Sequence, residues 1–156
     1  MNQIPLWHHK NVPLEKRDSI AAEVLTSLKR SPFFSLWLEG PIGSGKTTIT
    51  GSLLRGLGLP ENIPVSSPTF TYLNDYRIAE KTYAHLDFYR LESNSHPISD
   101  LLAYLDYDGM IIEWPQMLGP HTQNVSPTHI LKIEKGEDDA CRSYIFYELR
   151  NGLVEN

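Results

Sequence analysis

Cysteine is almost missing from this chain. Cys141 stands alone among 156 residues, which excludes an internal disulfide and any zinc site built from several thiolates, and leaves a buried or incidental thiol. Long apolar runs are missing too: nothing approaches the roughly 20 consecutive residues that cross a bilayer. Met1 to Lys10 has no basic segment followed by an apolar stretch of the kind that marks a secretory leader. A cytosolic protein with no membrane and no disulfide partner is therefore expected. Positive charge is scarce as well. Fourteen Lys and Arg against 19 Asp and Glu give a formal net charge of −5, spread along the chain and not gathered in blocks. Such a surface is poorly suited to holding nucleic acid by neutralising its phosphates, so any role near nucleic acid would run through a partner. Repeats, low-complexity tracts and linkers are absent, and the length suits one core without staples but not two. A single domain over residues 1–156, with its core at about 12–150, is the expectation.

What is present begins at Gly40-Pro41-Ile42-Gly43-Ser44-Gly45-Lys46-Thr47, a complete G-x-x-x-x-G-K-[ST] pattern. It follows the apolar run Phe33 to Leu38, which reads as a buried strand, and it precedes a helical stretch. A loop that wraps a phosphate closely needs glycines, because backbone N–H groups must point inward with no Cβ in the way. Lys46 supplies a mobile positive charge to the outer phosphates. Thr47 offers a hydroxyl to Mg²⁺, and the helix that starts there turns the positive end of its dipole toward the anion. A nucleoside triphosphate ligand follows from this unit; a plain glycine-rich turn is the alternative it displaces.

The remaining pattern is that of an α/β protein. Pro13 can open a helix reaching Lys29, with Ile20, Ala21, Val24, Leu25 and Leu28 on one stripe. Thr47 to Leu57 reads as the helix after the loop, closed by Gly58 and Pro60. Two extended segments, Thr71 to Arg77 and Lys81 to Arg90, suit a hairpin around Ile78-Ala79-Glu80. In the second, Tyr83, His85, Asp87 and Tyr89 alternate with Ala84, Leu86 and Phe88, so that His85 and Asp87 share a polar face. Glu92 to Pro97 reads as a turn-rich loop, Pro97 to Leu105 as a short helix, and Asp108-Gly109 as a turn. Met110-Ile111-Ile112 is the all-apolar run of a strand covered on both faces of a parallel sheet, and it ends in Glu113-Trp114-Pro115. His129 to Glu134 and Ser143 to Leu149 look like two strands joined by the acidic loop Gly136 to Ala140. The fold class expected is α/β: a P-loop NTPase domain with a mixed parallel and antiparallel sheet flanked by helices. Because ligands of open α/β sheets sit beyond the carboxyl ends of the strands, and Gly40 and Glu113 both follow immediately after an apolar strand, their two motifs should meet in space.

Phosphate chemistry is mostly positioning and charge neutralisation, so the loop needs a metal and a group to orient the attacking water or acceptor. Glu113 is the candidate for Mg²⁺ ligation, directly or through water, against the plain alternative of a solvated strand-end acid. Asp87 is the candidate to complete the metal shell or orient the nucleophile, against a hydrogen bond to a neighbouring loop. Thr69, in a Pro-stiffened segment, is placed to sense the terminal phosphate or metal as mobile loops do. His85 reads as a residue fixing the neighbouring backbone, Arg90 as a phosphate-answering or structural cation, Trp114 as a cover on the site, a partner surface or core. His8 and His9 read as solvated. No N-K-x-D stretch specifies guanine.

Together, Gly43-Ser44-Gly45-Lys46-Thr47-Thr48, Ser67-Pro68-Thr69-Phe70, His85-Leu86-Asp87-Phe88-Tyr89-Arg90 and Glu113-Trp114-Pro115 follow one order at compact spacing. In this the chain resembles the TsaE (YjeE) family over about residues 12–150. That family comprises bacterial P-loop ATPases required to make threonylcarbamoyl-adenosine in tRNAs that read codons beginning with A. The resemblance implies binding to a TsaD–TsaB pair, ATP and Mg²⁺ at or near the contact with TsaD, tRNA reached only through the complex, and hydrolysis that supports repeated turnover. It also implies that Gly43 to Thr48 bind the phosphates, that Thr47 and Glu113 bind Mg²⁺, and that Asp87 is essential to the ATPase cycle. Ser67 to Phe70 would be the nucleotide-responsive segment, Trp114 would lie near the site, and the region Leu14 to Ser19 would approach the adenine. The chain departs from many relatives at Pro41 and Ile42, which stiffens the first bend of the loop, and over Pro97 to Tyr107. Two rivals stay open on the residues alone: a small phosphotransferase, although the arginines are scattered and not grouped as a lid, and a nucleotide-gated binding module with incidental hydrolysis.

Overall fold

The computed structural model describes residues 1–91, 97–103 and 105–150. They form a seven-stranded sheet in the order β1-β7-β6-β2-β5-β4-β3. Its middle is parallel: β2 (Phe34–Glu39) lies between β5 (Gly109–Glu113) and β6 (His129–Lys135), and β4 (Lys81–Asp87) continues parallel beyond β5. Its wings are antiparallel, with β3 (Leu73–Ile78) on β4 at one edge, and β7 (Cys141–Arg150) carrying β1 (Asn2–Pro13) at the other. This is the mixed sheet with flanking helices that the sequence predicts.

Helices cover both faces of the parallel strands, and alternation along each strand divides the core in two. Leu36, Leu38, Ile111, Leu131 and Ile133 pack beneath α1 (Arg17–Leu28) and α2 (Lys46–Leu57). Met110, Ile112, Ala84 and Leu86 face the other way, toward Ile98 and Leu102 of α3 (Pro97–Ala103) and toward Leu118 and Val125. A strand covered on both sides has no face to give to polar residues, which is why β5 reads as an unbroken apolar run. The stripe predicted for α1 is buried at all five positions. α2 ends as predicted at Gly58, whose φ of +115° is left-handed, while Leu59 N–H reaches back to the Leu54 carbonyl at 3.0 Å to close the last turn.

Several boundaries differ from the sequence reading. Residues 2–10 carry no local strand signal, yet they belong to β1, whose partners on β7 lie far along the chain. Only that long-range pairing, with Trp7 packed on Phe146 at 5.2 Å between ring centroids, makes them extended. Pro13 therefore ends a strand instead of opening a helix, and a 3₁₀ turn at Leu14–Lys16 separates it from α1. The second segment of the hairpin stops at Asp87, because Phe88 N–H bonds the Glu113 carbonyl and Leu91 N–H turns back to Phe88. The face that His85 and Asp87 share is interior, as β4 is buried from Tyr83 to Asp87. The helix from Pro97 closes at Ala103, short of Leu105. The loop expected at Glu92 to Pro97 lies, over residues 92–96, outside the described residues. Pro115–Val125 forms 3₁₀ turns broken at Gly119, φ +53°. No helix among the described residues is long and apolar enough to cross a membrane.

One glycine is required by packing. Gly109 pairs in register with Phe34 on one side and Tyr83 on the other, and those two rings stack at 5.9 Å. A Cβ on Gly109 would lie 2.5 Å from the Phe34 ring and 2.9 Å from that of Tyr83. Gly109→Ala is expected to lower stability by about 1–3 kcal/mol through this overpacking. Urea unfolding measures it, and an unchanged midpoint would contradict the packing argument.

Candidate functional site

The loop after β2 is shaped by contacts that only glycine permits. A Cβ on Gly40 would lie 2.5 Å from the Ile133 carbonyl oxygen and 2.6 Å from Ser44 Oγ, so the chain leaves β2 pressed against β6. Gly43 and Gly45 then take φ of +76° and +101°, the left-handed conformation that turns the loop on itself before Lys46 begins α2. Ser44 is buried inside this bend, and its hydroxyl has no partner among the described residues.

Lys46 is buried at 6% exposure and its ammonium donates to the loop's own carbonyls, Gly40 at 2.6 Å and Pro41 at 2.9 Å. It also sits 4.3 Å above the centre of the Trp114 ring. Burial holds its pKa below the usual lysine value, and the carboxylates of Glu113 and Asp87 partly oppose that shift. The charge is thus stored under strain of desolvation, and an incoming anion would relieve it.

The two carboxylates arrive together because the parallel register sets Asp87 of β4 beside Glu113 of β5. Both are 3% exposed. Glu113 accepts from the Thr47 hydroxyl, 2.9 Å to Oε1 and 3.2 Å to Oε2, and its Oε1 lies 3.0 Å from His85 Nε2. Asp87 accepts the Ser67 hydroxyl and, at 3.4 Å, that of Thr69 on Oδ2, while its Oδ1 takes the Tyr89 N–H at 2.9 Å. A cavity of about 290 Å³ opens between these groups, bounded by Gly43, Gly45, Lys46, Thr47, Thr48, Asp87, Glu113 and Trp114. A larger one, about 600 Å³, runs between α1 and α2 past Asp18, Thr26 and Ser52, and the two share Thr48.

Most residues picked from the sequence therefore converge. Gly43, Gly45, Lys46, Thr47, Thr48, Asp87 and Glu113 line one cavity, and the glycine loop and Glu113 do meet beyond the ends of their strands, through the Thr47 hydroxyl. Ser44 lies within the bend, and Thr69 stands behind Asp87, joined to Ser67 at 2.8 Å. His85 contacts the Glu113 carboxylate and not backbone, a correction that follows from its full burial on the face shared with Asp87. Tyr89 also lines the cavity and packs on Trp114 at 4.9 Å, a role its place in the period-two set with Asp87 could have signalled. Trp114 covers Lys46 from a left-handed backbone, φ 56°. Arg90 lies over the exposed Phe70 ring at 4.8 Å. His9 is not simply solvated, since it pairs with Glu23 at 2.9 Å, whereas His8 is exposed. Asp18, in the stretch expected near the adenine, bonds Ser52 at 2.6 Å beside the larger cavity.

This donor set fits a magnesium triphosphate: left-handed glycines, one buried ammonium, and a hydroxyl joined to a buried carboxylate. No group of three or more His, Cys, Asp or Glu among the described residues would cage a metal alone. Mg²⁺ in phosphate sites commonly relies on one or two protein oxygens, water and the phosphates themselves.

Residues 13–144 match the family model described as threonylcarbamoyl adenosine biosynthesis protein TsaE. Among curated relatives, the chain is 36% identical over 97 residues to the tRNA threonylcarbamoyladenosine biosynthesis protein TsaE of Haemophilus influenzae, covering 61% of this chain and 60% of that protein. It is 36% identical over 95 residues to that of Bacillus subtilis, covering 60% of this chain and 58% of the relative, and 49% identical over 86 residues to that of Nostoc, covering 52% of each. The matched stretches thus span little more than half the length of these relatives. The crystal structure of Bacillus subtilis YdiB is similar with a TM-score of 0.66 at 26% identity, over 96% of this chain and 88% of that one.

Lys46 gives the site a testable pH signature. Its pKa is lowered by folding, so the unfolded chain binds more protons than the folded one between that lowered value and the ordinary lysine value of 10.5. Stability must then rise with pH across that window. In the nucleotide-free protein, unfolding free energy of the native chain relative to Lys46→Met should increase through this alkaline range; a flat difference would contradict the desolvation argument.

Proposed function

This chain belongs to the TsaE family of tRNA threonylcarbamoyladenosine biosynthesis, and on that premise we propose that it is a Mg²⁺-dependent ATPase that binds a TsaD–TsaB pair. As a single cytoplasmic domain it couples ATP hydrolysis to threonylcarbamoyl-adenosine formation in tRNA, which it meets only through that complex. The observation that carries the reading is the convergence of Lys46, Thr47, Asp87 and Glu113 on one cavity at the mouth of the glycine loop.

In this reading the loop from Gly43 to Thr48 receives the phosphates, with Lys46 leaving the Gly40 and Pro41 carbonyls for the outer ones. Thr47 and Glu113, already bonded to one another, are the residues that would hold Mg²⁺, and the ion when bound neutralises charge on the transferred phosphoryl group. His85, from β4, holds the same Glu113 Oε1 that accepts from Thr47. Asp87 orients the attacking water or completes the metal shell. Its carboxylate is held by Ser67 and Thr69, which supports Ser67 to Phe70 as the part of the chain that responds to the nucleotide. The rim of the cavity carries exposed apolar side chains, Ile42 and Tyr89, a composition suited to covering by a protein partner and to excluding water there.

The deciding experiment is ATP hydrolysis with Mg²⁺, alone and with the same organism's TsaD–TsaB pair. Stimulation by the pair is expected, lost in Lys46→Ala. An active pair that neither binds the chain nor alters its hydrolysis would instead favour a small phosphotransferase. Asp87→Ala should keep ATP binding but lower partner-stimulated hydrolysis by about 10²-fold or more, the scale of a lost acid–base or positioning group. Unchanged hydrolysis would remove Asp87 from the cycle. Glu113→Ala should weaken ATP binding only in the presence of Mg²⁺, and an unaltered Mg²⁺ titration would reject its metal role.

A further inference from the structure

The glycine loop is gripped from behind by a residue nearly a hundred positions away. Arg142, near the start of β7, donates from Nε to the Ser44 carbonyl at 3.1 Å and from Nη2 to the Gly43 carbonyl at 3.2 Å. Its Nη1 donates to the carbonyls of Asp139 at 3.0 Å and Cys141 at 2.8 Å. The guanidinium is thus engaged with backbone oxygens, and it forms no ion pair among the described residues. The base from which it reaches is firm: Arg142 pairs with Val12 of β1 and Lys135 of β6, and Gly136 N–H bonds the Cys141 carbonyl at 3.0 Å.

The direction of those bonds matters more than their number. A trans peptide unit is planar, and its C=O and N–H point in opposite directions. Drawing the Gly43 and Ser44 carbonyls outward to β7 therefore turns the Ser44 and Gly45 N–H groups inward. The Ser44 N–H does point into the bend, closing on the Pro41 carbonyl at 3.1 Å, and Gly45 lines the cavity. Packing against Gly43 and Gly45 does not impose this orientation, since nothing lies within 4 Å of where a Cβ on either would stand, and the hydroxyl of the buried Ser44 between them makes no hydrogen bond among the described residues. Glycine-flanked peptides turn over readily, so the orientation needs an external hold. A planar, always-charged fork that bridges two successive carbonyls is suited to supply it.

We propose that Arg142 is a positioning residue for nucleotide binding: it holds the Gly43–Ser44 and Ser44–Gly45 peptide units so that the Ser44 N–H closes the bend and the Gly45 N–H faces the phosphates, without itself touching the nucleotide. The proposal rests on the reading of this loop as an ATP site. It also gives the β6–β7 hairpin, remote in sequence from every motif of the site, a part in shaping it.

The test uses the full chain, native and carrying Arg142→Lys or Arg142→Gln, titrated calorimetrically with ATP and Mg²⁺. Thermal unfolding is followed alongside, and pyrophosphate is added while the Ser44 and Gly45 amides are observed in ¹H–¹⁵N spectra. Both variants should unfold cooperatively and bind ATP about tenfold or more weakly, the scale of lost charge-assisted hydrogen bonds. The displacement of the Gly45 amide by pyrophosphate should shrink in parallel. Lysine keeps the charge but not the fork, so full affinity in Arg142→Lys would reduce the role to charge and overturn the proposal. Native affinity in Arg142→Gln, or weaker binding with the Gly45 displacement intact, would overturn it too. Should Arg142→Gln fail to fold, Arg142→Lys decides alone. A native chain that binds neither ATP nor pyrophosphate would overturn the ATPase reading and this proposal with it, whereas native binding matched by the variants overturns the proposal only.

Discussion

The Thr47 hydroxyl resting on the Glu113 carboxylate joins the first turn of α2 to the last residue of β5, and the site is organised around that join. A carboxylate with 3% exposure is costly unless its oxygens are satisfied. Here Thr47 and His85 satisfy it from two sides, and each comes from an element held by its own packing. Remove the central parallel strands and the carboxylate, the ammonium of Lys46 and the hydroxyl have no reason to be neighbours. The core beneath α1 and α2 therefore supports the chemistry as directly as the residues that line the cavity.

The two acids of the site are held differently, and the difference suits different tasks. Glu113 is fixed by a helix and a central strand, parts of the fold that do not move without disturbing the core. Asp87 is fixed by Ser67 and Thr69, in the irregular chain between α2 and β3 that leads to Tyr72, itself at φ 64°. A carboxylate held by a loop can be released by a change in that loop, whereas one held by the sheet cannot. The Lys46 ammonium, resting on loop carbonyls and under Trp114, is likewise held by contacts that an anion can replace.

Local motifs were legible wherever a short stretch carried its own physics. The glycine loop, the α1 stripe, the apolar β5 run ending in an acid, and the β3–β4 hairpin are each decided by residues close to one another in the chain. β1 was not, because its extension depends on pairing with β7 at the far end of the chain. Alternation along β4 identified that His85 and Asp87 share a face, but not whether that face is solvent or the interior of a site. His85 fell on the right face and with the wrong partner, since nothing in its neighbours names Glu113.

By itself the sequence determined the chemistry on offer: a loop able to turn only with glycine, one lysine and one threonine after it, and two acids at the ends of apolar strands. Those follow from local conformational freedom and from side-chain type, which neighbours in the chain suffice to express. Only the tertiary structure decided which of these groups touch. The parallel register that sets Asp87 beside Glu113, the burial that depresses the Lys46 pKa, and the reach of Arg142 to the Gly43 and Ser44 carbonyls all arise between segments distant in sequence. Their energies depend on packing and desolvation, quantities that exist only once the sheet has closed.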